Sequence, residues 1–237
     1  MFLRLLLFAV IGITARMPAA DAAPKSAQPQ IHDLGGGIFQ VGGVKLNKNA
    51  RTVTFPAAVQ MNEGLVEYLL VSRTGKTHES LLVTDVEPLH VHTAMLLLGV
   101  RASPESRGEI NGGGQLDAAA LAHAPALKGE NVFIGLKWKT EAAEMRVPAE
   151  DLMVNDKTKR NVTRGPWTYN GSGFYGGGKF AAQIEGSFVA MITDSTALIN
   201  NPRTGHVNDS IWLADPAKVP KKGTPVEITI TLEGAKP

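Results

Sequence analysis

The 237-residue chain contains no cysteine, which excludes disulfides, thiolate nucleophiles, iron–sulfur clusters and cysteine-type zinc sites. Histidine and carboxylate are the metal ligands left. Neither sign of charge dominates, with 24 Lys and Arg against 22 Asp and Glu, and no basic run gathers the charge into a nucleic-acid footprint. Nor does any apolar run reach the roughly twenty residues that a membrane-spanning helix needs. Phosphate-loop chemistry is missing too: Gly176-Gly177-Gly178-Lys179-Phe180 lacks the P-loop spacing, and Gly35-Gly36-Gly37 precedes no helix. No serine sits in a G-x-S-x-G context or beside an identifiable base. What is present is an ordinary globular composition, 43% hydrophobic and 19% charged, long enough to bury a core without staples.

The first 22 residues read as an export signal. Met1 to Arg4 form a short basic start, Leu5 to Ala15 are apolar, and Ala20-Asp21-Ala22 matches the small-residue pattern of a signal-peptidase site. Cleavage after Ala22 leaves a net charge of +1, too small for steering to membrane or nucleic acid. Residues 23–37 are rich in Pro, Gln, Ala and Gly without periodicity, which predicts a flexible leader. A single domain is expected over residues 38–237.

Alternation predicts strands at Ile38–Val41, Val44–Leu46, Thr52–Phe55 (ended or placed at an edge by Pro56), Gly64–Ser72, Asn131–Lys139, Glu144–Val147 and Val226–Leu232. Shorter ones are predicted at Trp167–Tyr169, Gly173–Tyr175, Phe180–Ile184 and Phe188–Thr193. Arg73-Thr74-Gly75-Lys76 looks like a turn that returns His78–Thr84 as the hairpin partner of Gly64–Ser72. Pro88 to Gly99, with Pro in the first turn and Gly at the end, predicts a short buried helix. A brief helix is expected across Ala118–His123 after the polar loop 102–115, and one helical turn at Pro148–Leu152. Many strands, short helices and no βαβ alternation predict an α+β fold, mainly antiparallel, with two or more short helices, one of them buried.

The candidate polar site lies between residues 78 and 92: His78, Glu79, Ser80 and His92. On a strand His78 and Ser80 share a face and Glu79 points the other way. His90 and His92 diverge by about 200° on a helix, so they do not chelate one ion there. His92 precedes the apolar run Ala94–Leu98 and is expected to be buried. A buried imidazole needs partners, expected at His78, Glu79, Ser80 or a carbonyl of the same hairpin. Three readings stand: a structural polar network, a ligand-binding or catalytic site, or unrelated exposed residues. No cofactor and no metal is implied.

These residues carry a resemblance. Glu67-Tyr68-Leu69-Leu70-Val71, Gly75-Lys76, His78-Glu79-Ser80, Pro88, His92 and Leu96-Leu97-Leu98-Gly99, with Trp167, Gly171-Ser172-Gly173-Phe174, Asp194, Trp212 and Val219-Pro220 further on, resemble the YdjY-type domain of exported bacterial proteins. The resemblance spans about residues 38–233 and implies a periplasmic or secreted protein. His78, Glu79, Ser80 and His92 match its motif, but it names no reaction. Two functions follow as expectations. One is an extracytoplasmic binding or structural module for a small molecule, envelope component or protein, through a Gly/Asn-rich, aromatic surface around residues 165–180, with no integral membrane domain after signal cleavage. The other is a hydrolase or metal-assisted enzyme using His78, Glu79, Ser80 and His92.

Overall fold

The computed structural model describes residues 29–101 and 126–235. The export signal 1–22 with its cleavage site, the leader before residue 29, the loop 102–115 and the helix Ala118–His123 fall outside the described residues.

Strands β1 (Ile31–Gly35), β2 (Ile38–Val41) and β3 (Val44–Asn47) form a meander leading into β4 (Thr52–Val59). Next come β5 (Tyr68–Ser72), β6 (Ser80–Thr84) and helix α1 (Pro88–Leu97). After it run β7 (Glu130–Lys139), β8 (Glu144–Pro148), the 3-10 turn Ala149–Leu152, β9 (Met153–Asn155), β10 (Arg160–Asn161) and β11 (Trp167–Tyr169). The chain finishes through β12 (Phe174–Tyr175), β13 (Lys179–Phe180), helix α2 (Ala181–Glu185), β14 (Ser187–Ala190), β15 (Ile199–Asn200), β16 (Trp212–Ala214) and β17 (Pro225–Leu232).

Eight of these strands close a barrel in the order β4-β17-β7-β11-β15-β14-β5-β6, with β6 returning to β4 through Ala58↔Val83 and Val59↔Leu82. Eight strands leave an interior just wide enough for side chains to fill. Phe55, Leu70, Ile134, Phe188, Ile199 and Ile228 fill it, and the rings of Phe55 and Phe188 meet across it at 6.0 Å. The long strands put them there by period two: Val226, Ile228, Ile230 and Leu232 of β17 are buried while Glu227, Thr229 and Thr231 face outward.

This corrects the α+β expectation. The described part is mostly β, built on the barrel, with two α-helices that make no layer of their own. α1 begins at Pro88 as predicted and buries Val91, His92, Ala94 and Met95, but Leu96 is 47% exposed, so the helix is half sunk rather than enclosed. The predicted hairpin is also corrected: β5 and β6 are parallel, Tyr68 opposite Ser80 and Ser72 opposite Thr84. The reason is local. Residues 77–79 form a 3-10 turn instead of opening the strand, and this carries the chain back to the start of β5 before β6 begins. Pro56 neither ends β4 nor lies on an edge strand; it sits where β4 exchanges β3 for β6 as neighbour, a position that dispenses with a ladder hydrogen bond on that side. Ala181–Glu185, inside a predicted strand, is helical and ends at Gly186 in the left-handed conformation (φ 69°). A Cβ there would lie 2.3 Å from Ser72 Oγ, so the β5–α2 contact requires glycine. Ile31–Gly35, placed in the leader by the sequence, already pairs with β2.

Candidate functional site

The four predicted site residues are not brought together. His78 and Glu79 occupy the 3-10 turn Thr77–Glu79; the His78 side chain is 80% exposed, its Nε2 3.6 Å from the Glu79 carboxylate, which lies equally far from Lys76 Nζ. Ser80 is fully buried, and its hydroxyl donates to the Lys76 carbonyl at 2.6 Å, closing that turn. An oxygen so committed has no neighbouring base to activate it. Beside them Glu67 has its carboxyl raised above the ordinary range, first by burial and then by the negative charge of Glu79. His92 is elsewhere: α1 follows the end of β6 opposite to Ser80.

Burial of His92 is as expected, but its partner is not. Nδ1 lies 2.7 Å from the hydroxyl of Tyr169 on β11, and the ring packs against Phe180 at 4.8 Å. Burial pushes the imidazole down to about 4 and the Tyr169 phenol up, so the pair is neutral. The need for a buried imidazole partner was legible in the sequence; that Tyr169, at a separation of 77 residues, supplies it was not. Among the described residues no cluster of three or more His, Asp or Glu is placed to hold a metal ion. The surface expected around residues 165–180 is divided: Trp167, Tyr169, Asn170 and Ser172 are buried, whereas Phe174 and Gly176–Lys179 are exposed.

The concave surface lies on the other side of the barrel. β7 and β17 present Phe133, Gly135, Thr229 and Thr231 outward as the floor of an open groove of about 700 Å³. Arg146 and Pro148 of β8, Glu150 of the 3-10 turn and Arg164-Gly165 line its walls. Register fixes the floor: Thr231 opposes Phe133, Thr229 opposes Gly135, and Gly135 in turn opposes Pro148.

Neither packing nor a left-handed backbone requires glycine at 135. The ladder to β17 runs unbroken through it, while on the other side β11 leaves β7 at Val132 and β8 joins at Gly135; its φ lies outside the left-handed region, and an added Cβ would meet nothing nearer than the Val147 carbonyl oxygen at 4.0 Å. A mid-strand glycine without a bulge weakens the strand and often marks a bend of a barrel or a place where a ligand approaches the backbone closely.

The charges around the groove compensate one another. Lys137 pairs with Glu227 at 2.5 Å, Arg146 with Glu144 at 2.5 Å, and Arg164 grips Asp151 through two bonds at 2.5 and 2.8 Å, which hold that carboxyl below its usual range. The fourth pair is buried. Glu150 Oε1 accepts from Arg203 Nη2 at 2.6 Å, from Trp167 Nε1 at 3.1 Å and from the Gly165 amide at 3.3 Å, while the guanidinium lies 4.7 Å over the Trp167 ring. All three donors reach Oε1. The Glu150 side chain, 3% exposed, is thus held from three directions beside the groove that it lines. Of these residues the sequence singled out only Trp167, as part of the resemblance; Glu150 precedes it by 17 positions and Arg203 by 53.

No curated protein and no solved structure matches the chain. The model of the YdjY domain matches residues 44–231, a span that includes every barrel strand from β4 through β16 and all but the end of β17, and the chain belongs to the YdjY domain family.

Proposed function

We propose that the protein is an exported binding module that takes its ligand in the groove over β7 and β17. Gly135 carries this reading: it leaves the floor open at a position where neither packing nor backbone conformation asks for glycine. The walls are fixed in advance by the Glu150–Arg203 and Arg164–Asp151 pairs, and preorganisation of this kind lowers the ordering cost of binding. Export rests on Met1–Arg4, Leu5–Ala15 and Ala20-Asp21-Ala22. In agreement with release from the membrane after cleavage, no helix of the described residues is long and apolar enough to cross one.

Two measurements test this. The intact mass of protein recovered after export is expected to start at Ala23, and a mass retaining residues 1–22 contradicts export with cleavage. Amide spectra of the protein titrated with fractionated low-mass envelope extract are expected to move at Phe133–Lys137, Arg146–Glu150 and Thr229–Thr231. Movement confined to residues 77–80 and 92 overturns the groove as the site.

A further inference from the structure

We infer that the ligand of this groove is a neutral, hydroxyl-rich chain, an oligosaccharide; the inference rests on the groove being the ligand site. Charge is the first argument. Lys137, Arg146, Arg164 and Arg203 each face a carboxylate, at Glu227, Glu144, Asp151 and Glu150. An anionic ligand would have to displace those partners and a cationic one would meet the arginines, so neither finds complementary charge.

Hydrogen-bonding capacity is the second. Thr229 and Thr231 face outward along one strand, and each hydroxyl can donate and accept. A sugar hydroxyl both donates and accepts, which matches this mixture. Third, Phe133 is 41% exposed at one end of the floor, directly opposite Thr231. The electron-rich face of an aromatic ring suits the C–H face of a sugar, and the absence of a side chain at Gly135 lets the next unit lie close to the backbone.

An extended peptide fits less well. Peptides that add to a sheet need an edge with a run of unpaired main-chain groups, and the groove floor offers only a two-residue gap: β7 is paired to β17 along Val132–Lys137 on one side, and on the other to β11 up to Val132 and to β8 from Gly135.

The test titrates the full chain with maltotetraose, cellotetraose and N-acetylchitotetraose at millimolar concentration, following backbone amide shifts. Parallel arms use a sulfated xylan oligosaccharide and an unstructured Ala/Thr peptide. The expected result is a saturable shift with at least one neutral sugar at Phe133–Lys137, Arg146–Glu150 and Thr229–Thr231. Affinity should fall about tenfold or more in Gly135→Phe, whose melting temperature is no lower than the wild type's, and measurably in the isosteric Thr229→Val, whose melting temperature is unchanged. If no neutral sugar moves those amides, the inference is overturned. The other arms then separate its failure from that of the site: shifts there with the sulfated sugar or the peptide keep the groove and reject the saccharide, and shifts only elsewhere reject both.

Discussion

Along β7 and β17 burial alternates residue by residue, whereas β5, β6, β11, β14 and β15 are buried at every position. One side of the barrel leaves its outer face in contact with solvent; the other has its outer face covered. The covering is polar and satisfied: Asn200 Nδ2 donates to Asn170 Oδ1 and to the Asp194 carbonyl, each at 2.9 Å, Ser172 Oγ donates to the Thr196 carbonyl at 2.6 Å, and Asn201 Nδ2 to the Met191 carbonyl at 3.0 Å. Tyr68 on β5 likewise donates to Asp194 at 3.0 Å. Polar residues on this side thus hold loops onto strands, and a ligand would have to displace them. On the β7–β17 side the residues are chemically plainer, Thr, Gly and Phe, but their outward groups are available. The difference teaches that the conspicuous polar residues on the covered side hold loops onto strands and that the proposed binding surface is written in plainer ones.

The comparison breaks most visibly at the buried ion pair that joins the two sides. Removing the cation strands Glu150 as a buried charge, so Arg203→Ala is expected to cost about 3–5 kcal/mol in urea denaturation. A loss no larger than that of an exposed pair would show that Glu150 is better solvated than its surroundings imply.

Next in size is an acid effect at His92. Its folded value is pushed down to about 4 from an ordinary 6.5, so its neutral form contributes stability that is fully present above pH 6.5 and is lost as pH falls toward 4. The amount is on the order of 3 kcal/mol. The wild-type minus His92→Gln difference in urea stability, measured between pH 7 and pH 4, isolates it from the carboxylates and should shrink by about that amount on acidification. A difference independent of pH contradicts burial of a neutral imidazole.

Tyr169→Phe removes the hydroxyl partner of His92 Nδ1 and should cost about 1–3 kcal/mol; full stability would show that water replaces it. On the solvent-facing side the sign reverses. Gly135→Val adds a side chain where there is room and is expected to stabilise by about 0.5–1 kcal/mol while weakening binding. Loss of stability there would mean that the glycine serves the fold. The smallest effect belongs to His78→Ala, within about 0.5 kcal/mol, because the ring is 80% exposed and its contact with Glu79 is a surface one.

The alternating side was also the legible one. β7, β8 and β17 appear in the sequence nearly as they stand because one face is wet, and α1 is bracketed by Pro88 and Gly99. The covered side was harder to read, since a strand buried on both faces has no alternation to show. Nothing local in Arg73-Thr74-Gly75-Lys76 says that β6 runs parallel to β5, and closure through Ala58↔Val83 is a long-range event. β1 was missed for the opposite reason: all of Ile31–Gly35 is exposed, so no buried face marks it. The polar group of residues 78–92 was visible as residue types, but proximity in sequence does not place Ser80 and His92 together when β6 separates them. Gly135 carries no motif, and its place over the groove, where β7 exchanges β11 for β8 as neighbour, appears only from the register.

The most direct test of the division between the two sides measures stability and oligosaccharide binding together in Gly135→Phe and Tyr169→Phe. The account predicts that Gly135→Phe melts no earlier than the wild type and loses the amide shifts along β7, β8 and β17, while Tyr169→Phe melts earlier and, below its transition, keeps them. The reverse pattern, binding retained with Phe at 135 and lost with Phe at 169 in a fully folded protein, would put the site on the covered side and contradict it.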